Sequence, residues 1–250
     1  MSNSIPFLLR IVIITCAFAL SPATLQAEIK LPSVFGDHMV LQQGQQLPVW
    51  GWADPDESVT VSVAGQSKST KANKDGSWEI RISPLKVSKT PVEFSIKGNN
   101  NLIQYKDVLV GEVWLCSGQS NMEWRVSQSL NPKEEIANGK HPLIRHIKIP
   151  HRPSDKPEND VTPVGGGWQV CSTETVASFT AVGYYFARHL KQELNVPIGL
   201  LGSNWGGTRI EPWTPPSGFK SVPALKNIAE NLKDYPKKGN NGKIQHQSAL

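Results

Sequence analysis

Residues 108–124 are VLVGEVWLCSGQSNMEW, an apolar run that leads directly into a polar turn. The run from Val108 to Leu115 is interrupted only by Gly111 and Glu112. A nearly continuous apolar run is typical of a strand covered on both faces, as in the parallel sheets of α/β proteins. Ser120 follows at the carboxyl end of this strand, where open α/β sheets place their active sites.

A serine at this position has two interpretations. It can attack an acyl carbon if a base takes its proton, and its own N–H can help to hold the oxyanion. It can instead be an ordinary turn residue or helix cap, and Met122 replaces the second glycine of the GxSxG nucleophile motif. By pattern alone the second interpretation is favoured.

The sequence after this turn predicts a strand–helix–strand unit. Residues 144–149 have the composition of a strand, and residues 178–194 have helical spacing, with Ser178 as N-cap and a stop at Asn195 and Pro197. The apolar face predicted for this helix comprises Phe179, Val182, Phe186 and Leu190. Residues 198–201 form the next buried strand and open into a glycine-rich loop. This succession predicts an α/β fold and a right-handed crossover, which places Ser120 and the Gly206-Gly207 loop side by side.

Residues 28–107 have the pattern of short antiparallel strands. Val59, Val61 and Val63 alternate with polar residues, which is the mark of a half-buried strand. Turn residues separate this segment from similar ones at 39–42, 47–52, 78–82 and 94–96. The region predicts a small antiparallel β-sandwich domain. The pair Asp37-His38 is interpreted there as a structural hydrogen bond.

Residues 1–27 have the features of a signal peptide. Arg10 precedes the apolar segment Ile11–Leu20, and Leu25-Gln26-Ala27 offers a cleavage site. An uncleaved anchor and a lipoprotein attached through Cys16 are the alternatives. We therefore divide the chain into residues 1–27, 28–107 and 108–250, and we expect export to the periplasm or the extracellular space, without membrane association after cleavage.

Composition excludes several classes of protein. The chain is 38% hydrophobic and 19% charged, which is globular rather than disordered. Its formal charge of +5 comes from lysines spread along the chain, so we expect a solvated surface and no nucleic-acid partner. No metal-ligand spacing is present, and we expect no metal or cofactor. After cleavage Cys116 and Cys171 remain, compatible with one disulfide or with two buried thiols.

The segment 111–124 resembles, almost residue for residue, the first block of the sialate O-acetylesterase family, which are SGNH-type hydrolases related to acetylxylan esterases. Residues 34–52, 168–190 and 197–213 extend the resemblance over nearly the whole mature chain. It implies an incomplete SGNH-type (flavodoxin-like) three-layer sheet behind the sandwich. It also implies hydrolysis of O-acetyl esters on sialic acid or on plant or mucin glycans, with acetylxylan as an alternative substrate.

The resemblance assigns roles to individual residues. Ser120 matches the nucleophile, and Gly206-Gly207 matches the loop that supplies a second oxyanion donor besides Ser120. Gly207 is the preferred donor, and a tight turn is its alternative role. Asn121 orients the nucleophile loop or caps it. Trp124, Trp205 and Trp213 line a sugar site or belong to the core.

Two parts of the family pattern are missing from this sequence. The family completes its oxyanion hole with a side-chain amide from a Gly-Gln-Xaa-Glu-type block, and its triad with Asp-Xaa-Xaa-His. None of the six histidines follows an aspartate at that spacing. We therefore expect an amino-terminal fragment that is nearly inactive by itself. A non-catalytic carbohydrate-binding protein is the rival hypothesis, and it requires Trp50, Trp52 and Trp78 to be exposed in a row.

Overall fold

The computed structural model describes residues 28–154, 158–209, 213–214 and 216–231; the predicted signal peptide lies outside them. The strands are β1 Val40–Gln42, β2 Leu47–Trp52, β3 Ser58–Val63, β4 Gln66–Lys71, β5 Ser77–Ile82, β6 Ser88–Lys97, β7 Leu102–Gly118, β8 His141–Lys148, β9 Val164–Cys171 and β10 Ile198–Asn204. The α-helices are α1 Ser120–Glu123, α2 Pro132–Ala137, α3 Ala181–Leu194, α4 Pro216–Lys220 and α5 Lys226–Asn231. Short 3₁₀ turns occupy Val126–Gln128, Val176–Ser178 and Pro223–Leu225.

The amino-terminal strands form two sheets around one hydrophobic core. Strands β4, β3, β6 and the first half of β7 pair antiparallel in that order, while β2 and β5 pair with each other. Val49 and Ile80 from the small sheet share their core with Val61 and Phe94 from the large one. The alternation of apolar and polar residues in the sequence therefore predicted correctly which side chains of these strands point into the core. The polar strand β4 was not predicted, because its sequence QSKSTK has no apolar face.

Strand β7 joins the two halves of the chain. It runs for 17 residues, through the boundary predicted between residues 107 and 108, and changes partners along its length. Strand β6 pairs with residues up to Val110, and β10 pairs from Glu112 to Gly118. That residues 28–107 form a separate sandwich domain therefore stays a prediction.

The second half of β7 belongs to a mixed sheet. Strand β10 lies between β7 and β8 and is parallel to both, and β9 is an antiparallel strand beside β8. Helix α3 connects β9 to β10, and its residues share a core with Ile144 of β8 and Leu200 of β10. The predicted α/β class is confirmed. Of the helices in the described part of the chain, none combines the length and the apolar character that a membrane span needs.

Helix α3 differs from its prediction in its start and in its buried face. It begins at Ala181 with Thr180 as N-cap, so Ser178 is not the cap, and it ends as predicted at Asn195, whose φ is +53°. The face predicted from large apolar residues is wrong for Val182 and Phe186, which are 48% and 39% exposed, whereas Phe179 is buried and Leu190 packs against the core. Small residues form most of the buried face instead, which comprises Ala181, Gly183, Tyr184 and Ala187. They let the helix approach the sheet closely: a Cβ on Gly183 would lie 2.9 Å from Cys116 Sγ.

Gly111 permits the change of partners along β7. A Cβ at this position would overlap the carbonyl oxygen of Pro197, which accepts a hydrogen bond from the N–H of Glu112 at 2.9 Å. The obstacle is backbone, so a larger residue would push β10 away from β7. We expect Gly111→Ala to lower the free energy of unfolding by at least about 1–3 kcal/mol, the usual cost of overpacking. Denaturant unfolding followed by circular dichroism measures it.

Gly36→Ala is the matched control for that substitution. A Cβ on Gly36 meets no atom within 4 Å, and the backbone there is not in the left-handed region. We expect its unfolding midpoint to stay close to that of the unsubstituted chain. Equal stabilities for the two variants would contradict the role given to Gly111.

Candidate active site

Ser120 lies at the carboxyl end of β7, as predicted. The strand ends at Gly118, whose φ of +135° is a conformation that other residues rarely adopt. Gln119 is the N-cap of α1, and Ser120 is the first, exposed residue of that helix. The first N–H groups of a helix have no acceptor within it. The Ser120 side chain and backbone N–H are thus both presented at the edge of the sheet.

The glycine loop after β10 lies directly against Ser120. Strands β7 and β10 are parallel and in register, so that Asn204 stands opposite Gly118, and the N–H of Trp205 donates to the Gly118 carbonyl at 2.9 Å. A Cβ on Gly206 would lie 3.4 Å from the Cα of Ser120. The predicted juxtaposition of the two loops is confirmed, whereas the oxyanion roles of Ser120, Gly206 and Gly207 stay predictions.

The two glycines of this loop differ in what their N–H groups contact. The Gly206 N–H donates to Glu123 Oε2 at 2.5 Å. Gly207 has a φ of +77°, and no described residue accepts a hydrogen bond from its N–H. Gly207 is therefore the better placed of the two to hold a ligand oxygen, in line with the preference stated from the sequence.

Glu123 and His151 form a contact that the sequence analysis did not predict. His151 Nε2 lies 2.9 Å from Glu123 Oε1 and 3.0 Å from the carbonyl oxygen of Asn204. Both neighbours are acceptors, so Nε2 carries a proton and donates it. The imidazole also stacks on the indole of Trp205, with ring centroids 4.5 Å apart and an angle of 4°. Glu123 stood in the quoted motif, but no pattern connects it with His151.

A cleft of about 270 Å³ opens beside these residues. Lys148 donates from Nζ to the carbonyl oxygen of Asn204 at 2.9 Å and also to its side-chain oxygen. Burial lowers the pKa of Lys148, although the Glu123 carboxylate opposes that shift. The cleft is lined by Glu123, Arg125, His146, Lys148, Pro150, His151, Val164, Gln169, Ser178, Thr180 and Asn204.

His146 forms part of the cleft wall as a neutral imidazole. Burial lowers its pKa to about 3, and its ring stacks on Phe179 with centroids 4.5 Å apart. No described residue hydrogen-bonds to His146 Nε2 or to Thr180 Oγ1, although both atoms are buried. A Cβ on Gly202 would lie 2.7 Å from Nε2, so glycine in β10 makes room for the ring.

Within the described residues, no side chain hydrogen-bonds to the Ser120 hydroxyl, so none is in place to take its proton. His151 is nearby, but its Nε2 already donates to two acceptors. His38 belongs to another part of the molecule, where its Nδ1 lies 2.7 Å from Asp107 Oδ2. Burial works to raise the pKa of Asp107, but hydrogen bonds from Arg145 and His38 outweigh it and lower that pKa. The structural hydrogen bond predicted at Asp37-His38 thus involves Asp107 across the fold.

The predicted substrate-binding residues surround the turn without converging on one pocket. Asn121 is exposed, and the α1 N-cap makes no side-chain hydrogen bond. Trp124 is 51% exposed, with its Nε1 donating to the Gln128 carbonyl at 2.8 Å. One face of the Trp205 indole is covered by the stacked imidazole of His151. Trp213 donates from Nε1 to Thr208 Oγ1 at 2.8 Å, which anchors it to the glycine loop.

The row of exposed tryptophans required by the carbohydrate-binding hypothesis is incomplete. Trp50 is 38% exposed and packs edge-on against Phe35 at 5.0 Å, and Trp52 is half-buried. Trp78 is buried at 3% exposure. Within the described residues, no group of three or more His, Cys, Asp or Glu side chains is arranged to hold a metal ion.

Cys116 and Cys171 are free, buried thiols, so the disulfide alternative is wrong. Cys116 lies in β7 beneath α3, whereas Cys171 ends β9 and donates from Sγ to the Gly139 carbonyl at 3.2 Å. Two strands, β10 and β8, lie between β7 and β9 in the sheet and separate the two thiols. Burial raises the pKa of Cys116 to about 11 and that of Cys171 to about 12.

Comparison with known proteins relates this chain to carbohydrate acetylesterases. No family model matches. The chain is 31% identical over 228 residues to the human protein named sialate O-acetylesterase, which covers 84% of this chain and 43% of that protein. The mouse protein of the same name is 32% identical over 201 residues, covering 74% of this chain and 37% of that protein.

The solved structure of a carbohydrate acetylesterase from Xanthomonas citri has a similar fold. It superposes with a TM-score of 0.73 at 35% identity, over 81% of this chain and 45% of that one. The chain therefore spans about two fifths of the length of the curated relatives it matches.

Neither cysteine of the folded chain is expected to react with thiol reagents. At about pH 8.5, the ordinary pKa of a free thiol, the raised pKa values leave both thiols protonated, and the thiolate is the reactive form. A chromogenic disulfide reagent should label both only after denaturant is added. Labelling in the folded state, or a disulfide-linked peptide in a non-reducing digest, would contradict the structure.

Proposed function

Because the chain belongs to the family of the sialate O-acetylesterases, we propose that its protein hydrolyses O-acetyl esters of carbohydrates with Ser120 as the nucleophile. The Ser120 hydroxyl oxygen attacks the acetyl carbonyl carbon while its proton passes to a base. The sugar hydroxyl then leaves with a proton, and water cleaves the acetyl-enzyme to give acetate. The proposal includes acetylated sialic acids and acetylated xylan as the substrates to be compared.

One observation carries this proposal: the first residue of α1 and the glycine loop after β10 are in contact at one edge of the sheet. A tetrahedral intermediate at Ser120 places its oxyanion near the Ser120 N–H, and Gly207 offers a second N–H on the neighbouring loop. Donors aimed at the developing charge are commonly the largest single contribution to such catalysis. The arrangement suits acyl transfer and needs no metal ion for the attack.

We expect Ser120→Ala to abolish acetate release. Removing the nucleophile should lower kcat by roughly 10³-fold or more, as in other serine hydrolases. Acetate is measured on the full-length protein that contains this chain, with 9-O-acetyl sialate, acetylated xylan and an aryl acetate as separate substrates. The first two separate the two sugar classes, and the third tests esterase activity without a sugar.

Ser127→Ala is the control, because Ser127 is an exposed serine shortly after the same turn. Its acetate release should equal that of the unsubstituted protein. Acetate release that survives in Ser120→Ala would refute Ser120 as nucleophile. No release from any of the three substrates by the unsubstituted full-length protein, of which this chain is expected to be the amino-terminal part, would refute the proposed activity.

We also propose that the protein is exported and cleaved after Ala27, on the strength of the apolar segment at 11–20 and the small residue that ends Leu25-Gln26-Ala27. The mature chain is then expected to begin at Glu28. Mass spectrometry of the protein recovered from a secreting host measures its first residue. A mature protein that retains Met1, or one found only in the cytoplasm, would contradict export.

A further inference from the structure

Glu123 joins three separate segments beside Ser120. Its own segment is α1; its Oε2 accepts the Gly206 N–H of the loop after β10, and its Oε1 accepts from His151 in the segment after β8. Hydrogen bonds to a charged acceptor are shorter and roughly twice as strong as those between neutral groups. The Gly206 N–H donates directly to Glu123 Oε2.

The position of Glu123 along the helix couples it to the nucleophile. Ser120 and Glu123 are the first and last residues of α1, three positions apart, and such residues lie on the same side of a helix. Whatever Glu123 holds is therefore held at a fixed offset from Ser120. The part it holds is the loop that contains Gly207.

Other contacts tie the same loop to the nucleophile turn, but they act on its ends. The Trp205 N–H donates to Gly118, and the Gln119 side chain donates to the carbonyl oxygen of Thr208. Between these two anchors, the Glu123 carboxylate contacts the middle of the loop. His151 supports this carboxylate from its other oxygen, and stacks on Trp205, which directly precedes Gly206.

We propose that Glu123 is a positioning residue, which holds the Gly206 N–H so that the Gly207 N–H is left facing the site of the oxyanion at Ser120. The catalytic part of this inference rests on the proposed esterase function; the hold on the loop does not. Because Gly206 already donates to a carboxylate, a single N–H of the pair remains for the substrate. The arrangement assigns different tasks to two neighbouring glycines.

Amide hydrogen exchange, followed by NMR on the full chain, tests the hold directly. In Glu123→Ala we expect the protection of the Gly206 amide to fall roughly 10- to 100-fold, the value of a hydrogen bond to a charged group. In Glu123→Gln a side-chain oxygen still accepts the hydrogen bond, so the protection of the Gly206 amide should be close to that of the unsubstituted chain. The Gly206 amide proton resonance should move upfield, because the acceptor has lost its charge. Glu134→Ala, which removes an exposed glutamate of α2, is the control and should change neither.

The kinetic test uses the acetate assay with the same variants. We expect Glu123→Ala to lower kcat about 100-fold with KM little changed, as for a displaced reacting group, and Glu123→Gln to recover most of it. Unchanged Gly206 exchange in Glu123→Ala would overturn the proposal. So would lost protection with unchanged kcat, because the loop would then not serve the oxyanion. If Glu123→Ala does not fold, the Gly206 resonance in Glu123→Gln decides: no shift from the unsubstituted chain refutes the contact.

The two proposals fail in different ways. If the unsubstituted full-length protein releases no acetate, the proposed function is wrong, but the exchange data on this chain still show whether Glu123 holds the loop. If acetate release depends on Ser120 but the exchange rate of the Gly206 amide is the same with and without the Glu123 carboxylate, the function stands and the positioning role is refuted.

Discussion

The in-register pairing of β10 with the second half of β7 is the constraint on which the candidate site depends. Parallel strands that pair residue for residue end at the same level, so the turn after Gly118 and the loop after Asn204 begin side by side. Gly111 allows that pairing to start, because the carbonyl of Pro197 occupies the place of its missing side chain. A shift of one residue would point every side chain of β10 to the opposite face and separate the two loops.

Charge and burial in the adjoining cleft are arranged around one carboxylate. Glu123 lies near Lys148 and accepts hydrogen bonds from His151 and the Gly206 N–H, while His146 is kept neutral by its burial. A carboxylate that accepts from a donor on each of its two oxygens is fixed in place more firmly than one that faces water, since each donor limits its rotation. The site is thus held together by polar contacts between loops, whereas the strands beneath it are held by apolar packing.

The features that could be predicted from the sequence are those with a local pattern. The apolar run before Ser120, the alternation at Val59, Val61 and Val63, and the glycines after β10 each depend on neighbouring residues alone. The buried face of α3 could not be predicted in the same way. Its large residues Val182 and Phe186 face outward because small ones bring the helix close to Cys116 and Leu200. Which face of the helix is buried depends on how closely the helix packs on the sheet. The spacing of apolar residues along the helix carries no information on that distance.

The contacts of Glu123 and Asp107 escaped prediction for a related reason. Glu123 meets a histidine 28 residues further along the chain, and His38 meets an aspartate 69 residues away rather than its neighbour Asp37. Pairings of this kind follow from the order of strands in the sheet. In the sequence Glu123 belongs to a recognisable motif, but nothing indicates its partner. His151 belongs to no motif, and nothing indicates its partner either.

The length of β7 has a consequence for how the chain unfolds. At about 3.3 Å per residue this strand extends for roughly 55 Å and contributes to the sheets of both halves. Ile147 and Trp168, from β8 and β9, belong to the core of the amino-terminal strands, and Trp168 Nε1 donates to the Val34 carbonyl at 2.7 Å. Melting either half would expose the apolar surface of the other and remove its longest strand. We therefore expect the two halves to unfold as one cooperative unit, in a single thermal transition.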